Sequence, residues 1–172
     1  MSFFSKNKDN KDNKDSIAER PRTLETSKRF SEGEIIFAQG DQINDLYIIN
    51  KGEIQLYCKG NRGRITPVGV LKRQEFLGIP DLFTSGKSSF TAKTLTDVEL
   101  VPVAGDDIKK IVAQLPEWVQ KLILTLSERL DSAKDILSEH EIFDKRLYFN
   151  ENFNSEDEVK IKKSIEQYSK EK

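Results

Sequence analysis

Lys87, Ser88, Ser89 and Thr91 place one ammonium and several hydroxyls in a short stretch that follows Gly86. That combination suits an anion, since the ammonium supplies charge while hydroxyls and backbone amides supply hydrogen bonds. The same run also fits an ordinary solvated loop. A phosphate is held best by the planar fork of an arginine. No arginine stands between Arg73 and Arg129. Gly78, Ile79, Pro80 and Leu82 lie just upstream and complete the candidate pocket.

Other chemistry finds little support. His140 is the sole histidine. A metal site generally needs three or four ligands, and no Ser-His-Asp set can be built around one distant imidazole. Cys58 alternates with the apolar Ile54 and Leu56, which predicts a buried filler and not a nucleophile. The expectation is a protein with no catalytic constellation, no metal and no cofactor.

Composition narrows the class. The chain has 172 residues, enough for one core with extensions. Charged residues reach 33 %, yet the net charge is −1, which argues against a nucleic-acid partner needing a basic face. No apolar run reaches the roughly 20 residues that span a bilayer, and the N-terminus lacks the apolar core of a secretion signal. The lone Cys58 cannot form an internal disulfide, so a cytoplasmic location is expected.

The elements that would position these residues follow from periodicity. Residues 1–20 repeat Lys, Asp and Asn with little to bury, and are expected to be a disordered polar arm with Phe3 and Phe4 as its main apolar anchors. From Phe30, short apolar runs alternate with Gly, Asp and Asn. Strands are predicted at 34–37, 46–49, 54–58, 66–71, 90–92 and 98–101, with turns at Gly33, Gly40 and Gly52. The strand at 54–58 has period 2 and predicts one buried face. After Val103 the period becomes helical. Ile108, Ile111, Val112 and Leu115 share a face, and Pro116 suits the first turn of the next helix. Val119, Ile123, Leu126, Leu130, Ala133, Leu137 and His140 then follow at steps of four and three, an a/d heptad seam. Ser155 to Glu158 reads as a capping box opening a short terminal helix whose Ile161, Ile165 and Tyr168 share a face.

Three segments carry a resemblance. Phe30 to Phe37, with Gly40-Asp41, Leu46 to Ile49 and Gly52, resembles the opening strands of the cyclic-nucleotide-binding domain of catabolite-activator-type regulators. Glu75-Phe76-Leu77-Gly78 is similar to the start of that family's phosphate-binding cassette. Leu115-Pro116-Glu117, then Leu122, Leu126 and Ser127 to Leu130, resembles the helices leading into its dimerisation helix. The implied fold is mainly β with α: a cupin-like β-roll, or jelly-roll, with a short helix in the cassette, followed by a long C-terminal dimerisation helix. The corresponding division is a β-roll at 21–115, the heptad-bearing helix at 116–140 and an aromatic-rich extension at 141–172.

The resemblance also implies anchors that this chain lacks. The family places a glutamate for the ribose directly after the cassette glycine, where this chain has Ile79. Its cassette arginine falls before the next strand, where the candidates here are Gly86, Lys87 and Ser88. Asp81 stands two positions too late for the ribose and would repel a phosphate. Ordinary binding of cyclic AMP or cyclic GMP is therefore not expected. An altered cassette that takes a cyclic nucleotide or another small anion is the alternative.

The expected function is a non-enzymatic signalling module. It would form a homodimer through the long helix and engage one or more signalling proteins. Phe143, Leu147, Tyr148, Phe149 and Phe153 would serve either as a lid folded over the barrel or as a docking patch. No helix-turn-helix segment is expected in residues 141–172, and direct DNA binding is not expected: residues 154–172 carry five acids against five lysines.

Overall fold

The structure, a computed structural model, describes residues 26–60, 62–139 and 153–172. Two four-stranded antiparallel sheets face each other. One has the order β1 (Lys28–Phe30), β8 (Val98–Ala104), β3 (Asp45–Lys51) and β6 (Phe76–Leu77). The other has β2 (Ile35–Phe37), β7 (Thr91–Thr94), β4 (Ile54–Lys59) and β5 (Ile65–Leu71). Every predicted strand is present. β1 and β6 carry no alternation signal because three and two residues are too few to display one.

The sheets meet over Phe37, Ile49, Ile54, Leu77, Ala92, Val98 and Leu100, all buried. Ile49, Ile54, Ala92 and Leu100 are fully inaccessible, so this is a packed core and not an open barrel. A second cluster lies on the other face of the first sheet. There Leu46 and Val103 pack on Leu82 of the cassette helix α1 (Ile79–Phe83), with Ile108 of α2 (Gly105–Ala113) beside them.

The turn glycines do the work their positions suggest. Gly52 has φ +91, and a Cβ there would collide with the Asp97 carbonyl and with Val98. Only glycine allows that tight return between β3 and β4.

The long helix α3 spans Glu117–Glu139. Pro116 sits one residue before it, where its carbonyl accepts the first helical bonds from Val119 and Gln120. The terminal helix α4 spans Ser155–Glu171. Its capping box falls one residue earlier than Ser155: Asn154 accepts from the Glu156 and Asp157 amides, and Asp157 accepts from the Asn154 amide. Asparagine caps as well as serine, and the short Asp157 side chain completes the reciprocal bond.

One strand departs from its prediction. β4 is buried on both faces. Ile54 and Cys58 face the core, while Tyr57, on the opposite face, packs with Ile65, Ile161, Phe153 and Ile165. The covering layer is α4, which lies more than 90 residues away in sequence from β4. Alternation within a strand cannot reveal a cover supplied from so far along the chain.

Candidate functional site

The cassette begins at Gly78, whose φ of +98 turns the chain from β6 into α1. Ile79 opens the helix 38 % exposed, and Pro80 occupies its first turn, where a missing N–H costs nothing. Leu82 points into the second core cluster and is a packing residue. Asp81 turns inward and is buried. Its side chain accepts the Ser89 amide at 2.9 Å, and its carbonyl accepts the Gly86 amide at 2.9 Å.

Gly86, with φ +69, returns the chain towards β7. The returning strand is tied to the β2–β3 turn. Ile43 donates to the Gly86 carbonyl at 2.8 Å, Ser88 donates to the Asp41 carbonyl at 2.7 Å, and Gly40 donates to the Ser88 carbonyl at 2.8 Å.

The hydroxyls offered for ligand binding are each engaged within the protein. Ser88 donates to the Phe90 carbonyl at 2.6 Å. Ser89 donates to Asp131 of α3 at 2.7 Å. Thr91 accepts the Gln39 amide at 3.1 Å. Ser88, Ser89 and Thr91 are all buried, whereas Lys87 is exposed. A cavity of about 480 Å³ opens beside them, with Lys59 and Lys87 at its edge and Ser89 and Asp131 in its wall. Its chemistry is mixed: two exposed ammonium groups and a half-buried carboxylate line it. Asp131 was not legible as a site residue, since 42 positions separate it from Ser89 and nothing in the local pattern marks it.

The seam residues separate. Val119 and Ile123 are half-buried on the body of the protein, while Leu126, Leu130 and Ala133 are exposed. Trp118 and Leu122 join the exposed side at 69 % and 49 % accessibility. Leu137 lies within α3, and its side chain is outside the described portion, as is His140. Phe143, Leu147, Tyr148 and Phe149 also lie outside the described residues. Phe153 packs on Tyr57 with ring centroids 6.2 Å apart. It therefore folds back, but on the outer face of the sheet and not into the cassette.

Cys58 is buried at 2 % exposure on the core side of β4. Among the described residues no group of three or more His, Cys, Asp or Glu side chains could hold a metal, and no helix is long and apolar enough to cross a membrane.

Asp41 links α4 to the cassette turn. Its carboxylate accepts from the Ala38 amide at 2.9 Å and from the Tyr168 hydroxyl at 3.0 Å, and pairs with Lys172 at 2.8 Å. Burial pushes the Asp41 carboxyl up, but these hydrogen bonds outweigh it and hold the carboxyl below its ordinary value. Burial, then the Asp41 contact, raises the Tyr168 hydroxyl. The depressed carboxyl contributes stability above the unfolded-state value and loses it as pH falls through the folded value. Below about pH 4, amides of α4 are therefore expected to exchange faster before the roll unfolds. Hydrogen exchange across an acid series checks this; identical acid midpoints for α4 and the roll would refute it, and Asp41→Asn should shift the α4 response.

The architecture and the cassette together define a β-roll of the cyclic-nucleotide-binding type. The family model for the cyclic nucleotide-binding domain matches residues 27–115, just over half of the chain. The protein belongs to the cyclic nucleotide-binding domain family. It is 26 % identical over 110 residues to a CRP-like cAMP-activated global transcriptional regulator of Mycobacterium tuberculosis, covering 64 % of this chain and 49 % of that one. It is 28 % identical over 122 residues to a cyclic AMP receptor protein of Thermus thermophilus, covering 69 % and 56 %. The chain thus spans about half the length of these curated relatives. Among solved structures, the cAMP-bound form of the EAL enzyme Bd1971 aligns with a TM-score of 0.58 at 30 % identity, covering 64 % of this chain and 30 % of that one. The catabolite activator protein of Thermus thermophilus aligns at 0.52 and 27 %, covering 65 % and 53 %.

Proposed function

We propose that this chain is a non-enzymatic, cytoplasmic signalling module whose cassette no longer takes cyclic AMP or cyclic GMP, and which acts as a homodimer through protein partners. The observation that carries the reading is the Ser89 side chain. Its hydroxyl is committed to Asp131 and its amide to Asp81, so two carboxylates stand where an anion would need donors. Ile79, directly after the cassette glycine, adds no polar anchor. Each lost charge-assisted contact costs roughly 1.5–3 kcal/mol, and two weaken binding by about a hundredfold or more.

The exposed stripe of Trp118, Leu122, Leu126 and Leu130 supports pairing along α3. The balanced charge of residues 154–172 supports a role without direct DNA contact. The division at 21–115, 116–140 and 141–172 is retained, with residues 153–172 serving as a cover for the roll.

A second reading has its own support. Lys59 and Lys87 flank the open cavity, which suits a small anionic ligand of a different shape, such as a cyclic dinucleotide. Thermal unfolding with millimolar cyclic AMP, cyclic GMP and cyclic dinucleotides separates the two. Native-state binding at about 100 times the dissociation constant adds about 2.7 kcal/mol, a readily seen upward shift. No shift is expected. A saturable shift with cyclic AMP or cyclic GMP would overturn the proposed loss, and one with a cyclic dinucleotide alone would favour the second reading over the scaffold.

A further inference from the structure

We propose that Asp131 is the residue that sets what the cassette accepts: its carboxylate takes the Ser89 hydroxyl, holds α3 against the cassette and shuts anions out. This deepens the reading of a cassette closed to nucleotides and rests on it.

The contact is short. At 2.7 Å, the Ser89 Oγ to Asp131 Oδ1 distance lies in the range of charge-assisted O–H to carboxylate bonds. Ser89 is 7 % exposed, so water competes poorly for its hydroxyl. A hydroxyl has one proton to donate. While Asp131 holds it, an incoming ligand oxygen does not. The Ser89 amide is engaged in the same way by Asp81 at 2.9 Å. The donors that this residue could offer to an anion thus both serve carboxylates of the chain itself.

Charge strengthens the exclusion. Lys59 and Lys87 at the edge of the cavity attract an anion from solvent. An anion that passes them meets the Asp131 carboxylate in the wall. Like charges at close range repel, and Asp131 adds that repulsion to the loss of the Ser89 donor.

The same contact fixes the helix. Ile123, Ser127 and Asp131 recur every four residues on the side of α3 that faces the body of the protein. Ser127 is buried at 5 %, yet neither it nor Asp131 is apolar. The large neighbours Leu126 and Leu130 face outward at 58 % and 52 % exposure. Among the described side chains of α3 beyond Ile123, only Ser127 and Asp131 are not exposed, so polar contacts register this stretch of the helix on the roll. Asp131 acts as an internal anion that keeps the helix docked without any ligand.

Hydrogen exchange on the full chain, without nucleotide, tests the docking. Asp131→Ala and Ser89→Ala should each speed exchange of amides at 124–132 by about tenfold, as expected for loss of a hydrogen bond to a charged group. Amides of β4 and β7 should be unaffected. Asp131→Asn keeps an acceptor oxygen and should show a smaller effect. Calorimetric titration with cyclic AMP tests the exclusion, because a purely structural role would not move it. Asp131→Asn should bind cyclic AMP at least about tenfold more tightly than the wild type. Unchanged exchange in both alanine variants would overturn the docking role, and equal affinity of the Asn variant and the wild type would overturn the exclusion. Tight binding by the wild type would instead overturn the proposed loss of nucleotide binding, leaving the nucleotide-free exchange result to stand on its own.

Discussion

Replacing Ile161 by aspartate is expected to strip α4 from the roll and lower the melting temperature by several degrees. Ile161 is 5 % exposed and inserts between Tyr57 and Ile65, with Phe153 and Ile165 beside it. Ile161→Ala alone removes buried methylenes and leaves a cavity, a loss of about 2–5 kcal/mol. An aspartate adds the cost of a carboxylate facing an aromatic surface. For a chain of this size, each kcal/mol moves the midpoint by about 2–4 °C. The polar contacts of α4 would go with it: the Ile65 amide donates to Glu158 at 3.2 Å, and Lys93 donates to Ser164 at 3.3 Å. The Lys162 hydrogen bond within α4, against a smaller opposing effect of burial, holds the Glu158 carboxyl below its ordinary value, and the Ile65 amide, which also lowers it, ties this carboxylate to the roll. Thermal melts followed by far-ultraviolet circular dichroism check the expectation. An unchanged midpoint for Ile161→Asp would show that α4 contributes nothing to the roll. Removing residues 141–172 should give a similar loss of stability, because it bares Tyr57 and Ile65. That deletion should also abolish capture of a protein partner if the extension is the docking element.

Substituting both Leu126 and Leu130 by glutamate is expected to convert a dimer into a monomer and halve the mass seen by light scattering. Both side chains project from α3 at more than half exposure, in line with Leu122 and Trp118, about one and two turns before Leu126. Contiguous exposed apolar stripes of this kind commonly mark interaction surfaces. Each leucine buried against a second copy contributes about 1.5–3 kcal/mol. Two glutamates facing their counterparts across a two-fold axis add repulsion. The sole tryptophan, Trp118, lies on the same stripe, and its fluorescence should move to the red when the pair separates. A wild-type mass of one chain at working concentration would dismiss pairing through α3.

The heptad pattern places Val119 and Ile123 in the same seam as Leu126, whereas the folded helix turns those two towards the protein. The reason is geometric. A straight helix of 3.6 residues per turn drifts against a strict seven-residue repeat. The cassette helix also packs against α3, and Val119 and Ile123 are the apolar seam residues that turn from solvent. The remaining stripe is Trp118, Leu122, Leu126 and Leu130, spaced by four. Sequence alone cannot assign one apolar helical face to an internal neighbour and another to a second copy, because both demand the same residue types.

Local chemistry was sufficient for much of this protein. The alternation in β4, the glycines at 33, 40 and 52 with positive φ, and the switch to helical spacing after Val103 each follow from neighbours a few residues apart. So does the identification of the cassette, since Glu75 to Gly78 is a continuous stretch. The absence of an arginine between Arg73 and Arg129 is likewise a fact of sequence. Tertiary structure alone decided what fills the space around that cassette. Asp131 reaches Ser89 across 42 residues, Tyr168 reaches Asp41 across 127, and α4 covers a strand face that alternation marks as exposed. These are pairings between distant segments, each costing chain entropy that only the assembled core repays. A linear pattern records the periodicity of an element and is silent on which element will lie against it.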